Sequence, residues 1–253
     1  MELLGINSLP SIEISLKRKE RIKESKSQLV LGYHDEKWNI ITSTDRREEI
    51  ENLKTYKGTT VISSLVNKGK IVSEDTLRKQ LFQKYWFFSM KGDVNIIKLV
   101  DDIYNRSFPI FLENFVPNSD SEEELIFSII LEGISKIRYN IHEEKIALKL
   151  KEILSWIEPY GKICFLLSDG NSMFAYRSAP ALYYNQVEKP LFSSISVSLD
   201  MYELNLHTKN LKKLVLISSS PKERENWSLM ERGKVYCFCG GEDIRNKEKV
   251  YWR

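Results

Sequence analysis

The sequence predicts an α+β fold, and three observations carry that prediction. Strand-like runs open the chain, helical stretches fill its middle, and strand-like runs return near the end. The last group is anchored by residues 162–177, KICFLLSDGNSMFAYR. There Ile163, Phe165 and Leu167 share one face while Cys164 and Leu166 share the other, so this strand is expected to be covered on both sides. Asp169-Gly170 supplies a hairpin turn, and Met173 to Tyr176 return as the partner strand. No repeat, low-complexity tract or linker marks a boundary, so residues 1–253 are expected to form one domain.

Taken in order, residues 2–6 (ELLGI) read as a short first strand ending at Gly5. Ser11 to Ser27 is expected as a basic helix with Ile12, Leu16 and Ile22 apolar and six Lys/Arg between Lys17 and Lys26. Interleaved acidic residues make that face a solvated one before they make it a nucleic-acid patch. Gln28–Tyr33 and Trp38–Thr42 read as paired strands, Asp45–Leu53 as a polar loop or short helix, and Thr59–Val66 and Tyr85–Met90 as strands. Asp93 is expected to open a helix carrying Val94, Ile97, Val100 and Ile103.

A second helix follows Pro117, capped by Ser119 or Asp120, with Glu122 to Glu124 at its positive end and Ile126, Ile129, Ile130 and Ile134 as its stripe. Asn140 and Glu143 suggest a capping box for a third helix, whose apolar face is Ile146, Leu150, Ile153 and Ile157. The hairpin, Leu214–Ser218 and Val235–Cys239 with a Gly240-Gly241 turn complete the chain as stacked strands.

Composition narrows the function classes. With 38 basic and 35 acidic residues the net charge is +3, too mild to imply nucleic acid. Cys164, Cys237 and Cys239 form neither a disulfide framework nor a four-ligand metal site, and read as reduced core residues. The start lacks the pattern of a signal peptide, and no apolar run approaches the ~20 residues of a membrane span, so a soluble cytoplasmic protein is expected.

The stretch LSDGNSMFAYR, then LVLISSSPKERENW and ERGKVYCF, resembles the C-terminal half of class II glutamine amidotransferases, small stand-alone branch. The matching features are Asp169-Gly170, Ser219 to Pro221, Trp227 and Gly233, and the start Met1-Glu2-Leu3-Leu4-Gly5 is similar to the family's Met-Cys-x-Leu-Leu-Gly. The resemblance implies a four-layer αββα sandwich of the N-terminal-nucleophile hydrolase type. It also implies glutamine amide cleavage by an N-terminal cysteine, whose amine manages the thiol proton.

That cysteine is absent: Glu2 precedes Leu3-Leu4-Gly5, and no Cys, Ser or Thr occurs before Ser8. The family's His-x-Asp-Gly-Trp-Gly falls on His34 to Asn39, keeping His34 and Trp38 but replacing both glycines. Its His-x-Arg, whose Arg grips the glutamine carboxylate, falls on Ser64-Leu65-Val66. Its oxyanion-hole His-Asn-Gly falls on Met90-Lys91-Gly92. Its Thr-Asp-Ser-Glu, whose Asp binds the substrate ammonium, falls on Ser119 to Glu122, leaving Asp120 as cap or ligand contact.

The resemblance therefore implies a vestigial pocket at Glu2, His34, Trp38, Val66, Lys91 and Gly92, with no catalytic residue, metal or cofactor. The expected function is that of a partner-binding, scaffolding or regulatory subunit, or of a protein that binds a small amino-acid-like ligand in the old pocket. An active amidohydrolase with a different N-terminus or a recruited nucleophile such as Ser8 is the alternative; a nucleic-acid module at 17–26 is the third.

Overall fold

A computed structural model describes residues 2–18, 27–35, 37–43, 55–67, 74–138, 141–188, 194–198, 202–207, 211–221 and 226–245. The elements in order are β1 (Leu3–Arg18), β2 (Ser27–Asp35), β3 (Lys37–Ser43), β4 (Thr55–Asn67), α1 (Glu74–Leu77), β5 (Arg78–Leu81), β6 (Lys84–Val94), α2 (Ile96–Tyr104), α3 (Glu122–Ser135) and α4 (Glu143–Ile157). They continue with β7 (Gly161–Ser168), β8 (Ser172–Arg177), β9 (Tyr183–Glu188), β10 (Ser194–Ser198), β11 (Tyr202–His207), β12 (Lys213–Ser218), β13 (Ser228–Leu229), β14 (Val235–Cys239) and β15 (Glu242–Asp243).

The strands form two sheets. One runs β13-β9-β12-β1-β4-β2-β3, with β11 also on β1 and β10 on β11. The other runs β15-β14-β8-β7-β6-β5. All the paired strands are antiparallel. The second sheet is buried on both faces because β6 and β7 are apolar on both. Trp86, Phe88 and Met90 join the core under α3 and α4, whereas Phe87 turns to the first sheet. Phe88 stacks on Phe127 of α3 with ring centroids 5.1 Å apart. Cys164 and Leu166 pack between the sheets against Leu3 and Ile62.

The α+β class and the two-sheet sandwich of the N-terminal-nucleophile type are thus present. The outer face of the first sheet carries its own core of Leu4, Ile6, Ile12, Ile14, Leu204 and Leu206, with Ile195 and Val197 packed on it. Strands β10 and β11 help close this face; among the described residues no helix does.

Several local expectations need correction. Ser11 to Arg18 is not helical but continues β1, because Ile12, Ile14 and Leu16 alternate with polar residues at the period of a strand. Residues 19–26, and with them most of the basic run, lie outside the described residues, as does Asp45–Leu53. Strand β6 extends through Val94, so α2 starts later, with Asn95 as N-cap accepting the Lys98 N–H at 3.1 Å. Its buried face is Leu99 and Ile103, while Ile97 is exposed.

The N-cap position of α3 is Ser121 rather than Ser119 or Asp120, and that of α4 is His142; neither makes a side-chain cap bond. Asn140 lies outside the described residues. The stripes of α3 and α4 are buried as expected, but α3 is buried on every side from Glu123 to Ile134. The closing strands do not stack together: β12 belongs to the first sheet, β7, β8 and β14 to the second.

Candidate functional site

The head of β1 defines one end of the sandwich. The Leu3 N–H donates to Ser219 Oγ at 3.0 Å, and the Leu3 carbonyl accepts the Ser219 N–H at 3.0 Å. Leu3 stands opposite Ser64 of β4, and two residues on Val66 stands opposite Gln28 of β2. In the other sheet Lys91 is opposite Cys164, Cys164 opposite Arg177, and Gly92 opposite Ile163. The sheets are aligned by contacts further along. At the opposite end Asn7 and Thr60 side chains donate to the carbonyls of Asn171 and Gly170 in the β7–β8 turn. A Cβ on Gly5 would meet Met173 and Leu166. Glu2, Val66, Lys91 and Gly92 therefore come to the same end of the sandwich.

His34 and Trp38 do not. His34 is opposite Thr60 and Val66 is opposite Gln28, six residues apart along β2, or about 20 Å. His34 and Trp38 stand opposite each other across β2 and β3, beside the Asp35–Lys37 pair. His34 packs on Gly170 of the hairpin turn, whose φ of +98° requires glycine there. Burial pushes the His34 pKa below its ordinary value, against the upward pull of Asp169 and Asp35. Trp38 stacks on Phe87 with centroids 5.0 Å apart. Both residues serve the packing between the sheets.

Gly92 has a local structural reason as well. A Cβ there would lie 2.3 Å from the Lys162 carbonyl oxygen, so only glycine lets the two strands approach. Asp120 is exposed, one residue before the N-cap of α3. Two neighbours fix this helix start: Glu123 accepts the Met90 N–H at 2.8 Å, and Glu124 receives Lys79 at 2.9 Å, the Asn118 N–H at 3.0 Å and the Ser119 hydroxyl at 2.5 Å. Burial alone would raise the Glu124 pKa; these bonds outweigh it and hold the carboxyl below its ordinary value.

A cavity of about 410 Å³ opens beside Asp120, between α2 and the start of α3, walled by Val100, Tyr104, Phe111 and Val116. A larger one of about 890 Å³ lies between α4 and β14, with Glu143, Lys151 and Arg245 in its wall. Neither is lined by Glu2, Lys91 or Gly92.

None of the three cysteines is in a disulfide; Cys164 and Cys237 are buried and Cys239 is half-buried. Burial pushes the Cys164 thiol up to about 11, although the Lys91 ammonium and the Arg177 guanidinium both pull it down. Burial likewise raises Cys237. At neutral pH both stay protonated and inert. Among the described residues no cluster of His, Cys, Asp and Glu is arranged to hold a metal ion.

Sequence reading missed Arg177 and the contact of Ser219 with Leu3. The signal for Arg177 is the alternation of β8: Met173, Ala175 and Arg177 fall on one face, the face of Cys164.

Two facing antiparallel sheets with helices packed on one of them agree with the family resemblance read from the sequence. The model of the class II glutamine amidotransferases matches residues 51–251, and the chain belongs to that family. Its structure is similar to a predicted glutamine amidotransferase from Pseudomonas aeruginosa PA01, at 17% identity and a TM-score of 0.74, covering 97% of this chain and 100% of that one. A class-II glutamine aminotransferase domain protein from Silicibacter pomeroyi is similar at 12% identity and a TM-score of 0.55, covering 96% and 97%. An uncharacterized protein of Methanocaldococcus jannaschii is 27% identical over 144 residues, 55% of this chain. The match spans 40% of that relative's length.

Proposed function

We propose that this chain keeps the class II glutamine amidotransferase fold as one domain over residues 1–253, without glutaminase chemistry. It works as a binding protein, for a protein partner or a small amino-acid-like ligand, in the cytoplasm. The observation that carries this reading is the head of β1. Glu2 and Leu3 stand where a nucleophile would be presented, and the Leu3 N–H is engaged by Ser219 Oγ. The neighbouring positions agree: Val66 offers no charge to a carboxylate, and Lys91 replaces an amide donor. Cys164, the thiol on the row beside them, is fully buried and protonated.

An electrophilic glutamine analogue tests the reading. Incubation with a diazoketone or chloroketone analogue, followed by intact mass and peptide mapping, is expected to leave the chain unmodified. A single stoichiometric adduct prevented by excess glutamine identifies a working nucleophile and overturns it.

A further inference from the structure

We infer that the head of β1 overlooks an anion site, in which Lys91 and Arg177 hold the side-chain carboxylate of an acidic amino acid. The inference rests on the reading just proposed and specifies its ligand.

The cross-strand register places Lys91, Cys164 and Arg177 side by side on three neighbouring strands. Directly opposed residues share a face, and the face of Cys164 is the one between the sheets. Two strand spacings put the Lys91 and Arg177 backbones about 10 Å apart. Their long side chains rise from either side of a small thiol, so their charged ends can meet on one oxyanion. Both remain half-buried, within reach of solvent.

Three other cations of the same sheet and its flank pair with a carboxylate: Lys79 with Glu124, Lys84 with Asp169, Arg245 with Asp243. Among the described residues neither Lys91 nor Arg177 has a carboxylate partner. Arg177 spends only Nε, donating to the Met230 carbonyl at 2.6 Å, which orients the guanidinium and leaves its terminal nitrogens for a ligand. Two residues before Lys91 on the same face, Ser89 is fully buried and its hydroxyl has no hydrogen-bond partner. Two like charges held close repel, and an anion between them removes that cost and gains charge-assisted hydrogen bonds. A neutral amide gains far less. Lys91 falls where the family polarises the side-chain amide, so the pair meets the ligand's side chain and not the α-carboxylate that glutamate and glutamine share. The site therefore selects the side-chain acid over the amide, the reverse of what a glutaminase needs from its substrate.

L-glutamate and L-glutamine are an acid–amide pair of nearly equal shape and serve as probes, with inorganic phosphate as a bare oxyanion. Calorimetric titration and thermal shift on the full chain are expected to show L-glutamate binding at least roughly tenfold tighter than L-glutamine. Lys91→Gln is expected to weaken L-glutamate by a similar factor, and Lys91→Arg to retain it.

Equal affinity for acid and amide overturns the inference, as does unchanged binding by Lys91→Gln in a folded variant. Phosphate binding as tightly as L-glutamate overturns the assignment to a carboxylic acid. Absence of any Lys91-dependent binding overturns the site itself while leaving the inactive-enzyme reading standing; a glutamine-protected adduct or glutamine turnover removes the latter.

Discussion

Replacing Glu124 tests how the start of α3, and with it Asp120, is held. The side chain is fully buried and gathers Lys79, the Asn118 N–H and the Ser119 hydroxyl. Glu124→Gln keeps an acceptor and the shape but removes the negative charge opposite the Lys79 ammonium and weakens the bonds from Asn118 and Ser119, a loss of about 2 kcal/mol. Glu124→Leu removes every acceptor and strands the Lys79 ammonium, whose side chain is only 11% exposed. Breaking a buried pair in this way costs about 3–5 kcal/mol. Urea unfolding is the assay: the midpoint should fall in that order with an unchanged slope. Adding Lys79→Met to Glu124→Leu should recover part of the loss, because no unpaired charge remains. The carboxyl is held below its ordinary 4.5, so its contribution is complete above that pH and is lost as pH falls through the depressed value. A Glu124→Leu variant within about 0.5 kcal/mol of the parent would refute the reasoning.

Three further outcomes are expected. Below pH 6.5 the folded chain resists protonation of His34 more than the unfolded chain does, so stability present above 6.5 is lost as pH falls; His34→Gln should flatten that slope in pH-dependent unfolding. Gly92→Ala, whose Cβ would sit 2.3 Å from the Lys162 oxygen, should cost roughly 1–3 kcal/mol, and a neutral effect would show that the strands yield there. Asp120→Ala should change stability by less than about 0.5 kcal/mol in the same assay, since Ser121 holds the cap position; a loss of ~1 kcal/mol would restore a capping role.

The legible parts of this chain were those where one local pattern decides the outcome. The 162–177 hairpin could be read because both its faces are apolar and Asp169-Gly170 punctuates it; Asp169 Oδ1 accepts the N–H groups of Asn171 and Ser172, closing the turn. The stripes of α3 and α4 were legible for the same reason. β1 was misread because charged residues crowd its second half, and the strand alternation of Ile12, Ile14 and Leu16 is outvoted by lysine and arginine unless the partners β4 and β11 are known. The short strands β9, β13 and β15 carry few apolar residues and are strands because a neighbour pairs with them.

The site was half legible. Glu2, Val66 and Lys91 follow from motif order, and the strand register carries their backbones to one end of the sandwich. His34 and Trp38 carried the right residue types at a plausible spacing, but the register of β2 against β4 carries them to the far end. Arg177 was hidden because its neighbourhood exists only across strands, in the row it shares with Cys164 and Lys91.

The central claim is a glutamine amidotransferase fold without glutaminase activity. Its most direct test is release of glutamate and ammonia from glutamine by purified protein, with the Met1-Glu2 start verified by intact mass. The account predicts release no faster than from a heat-inactivated control. Steady turnover proportional to protein concentration would contradict it.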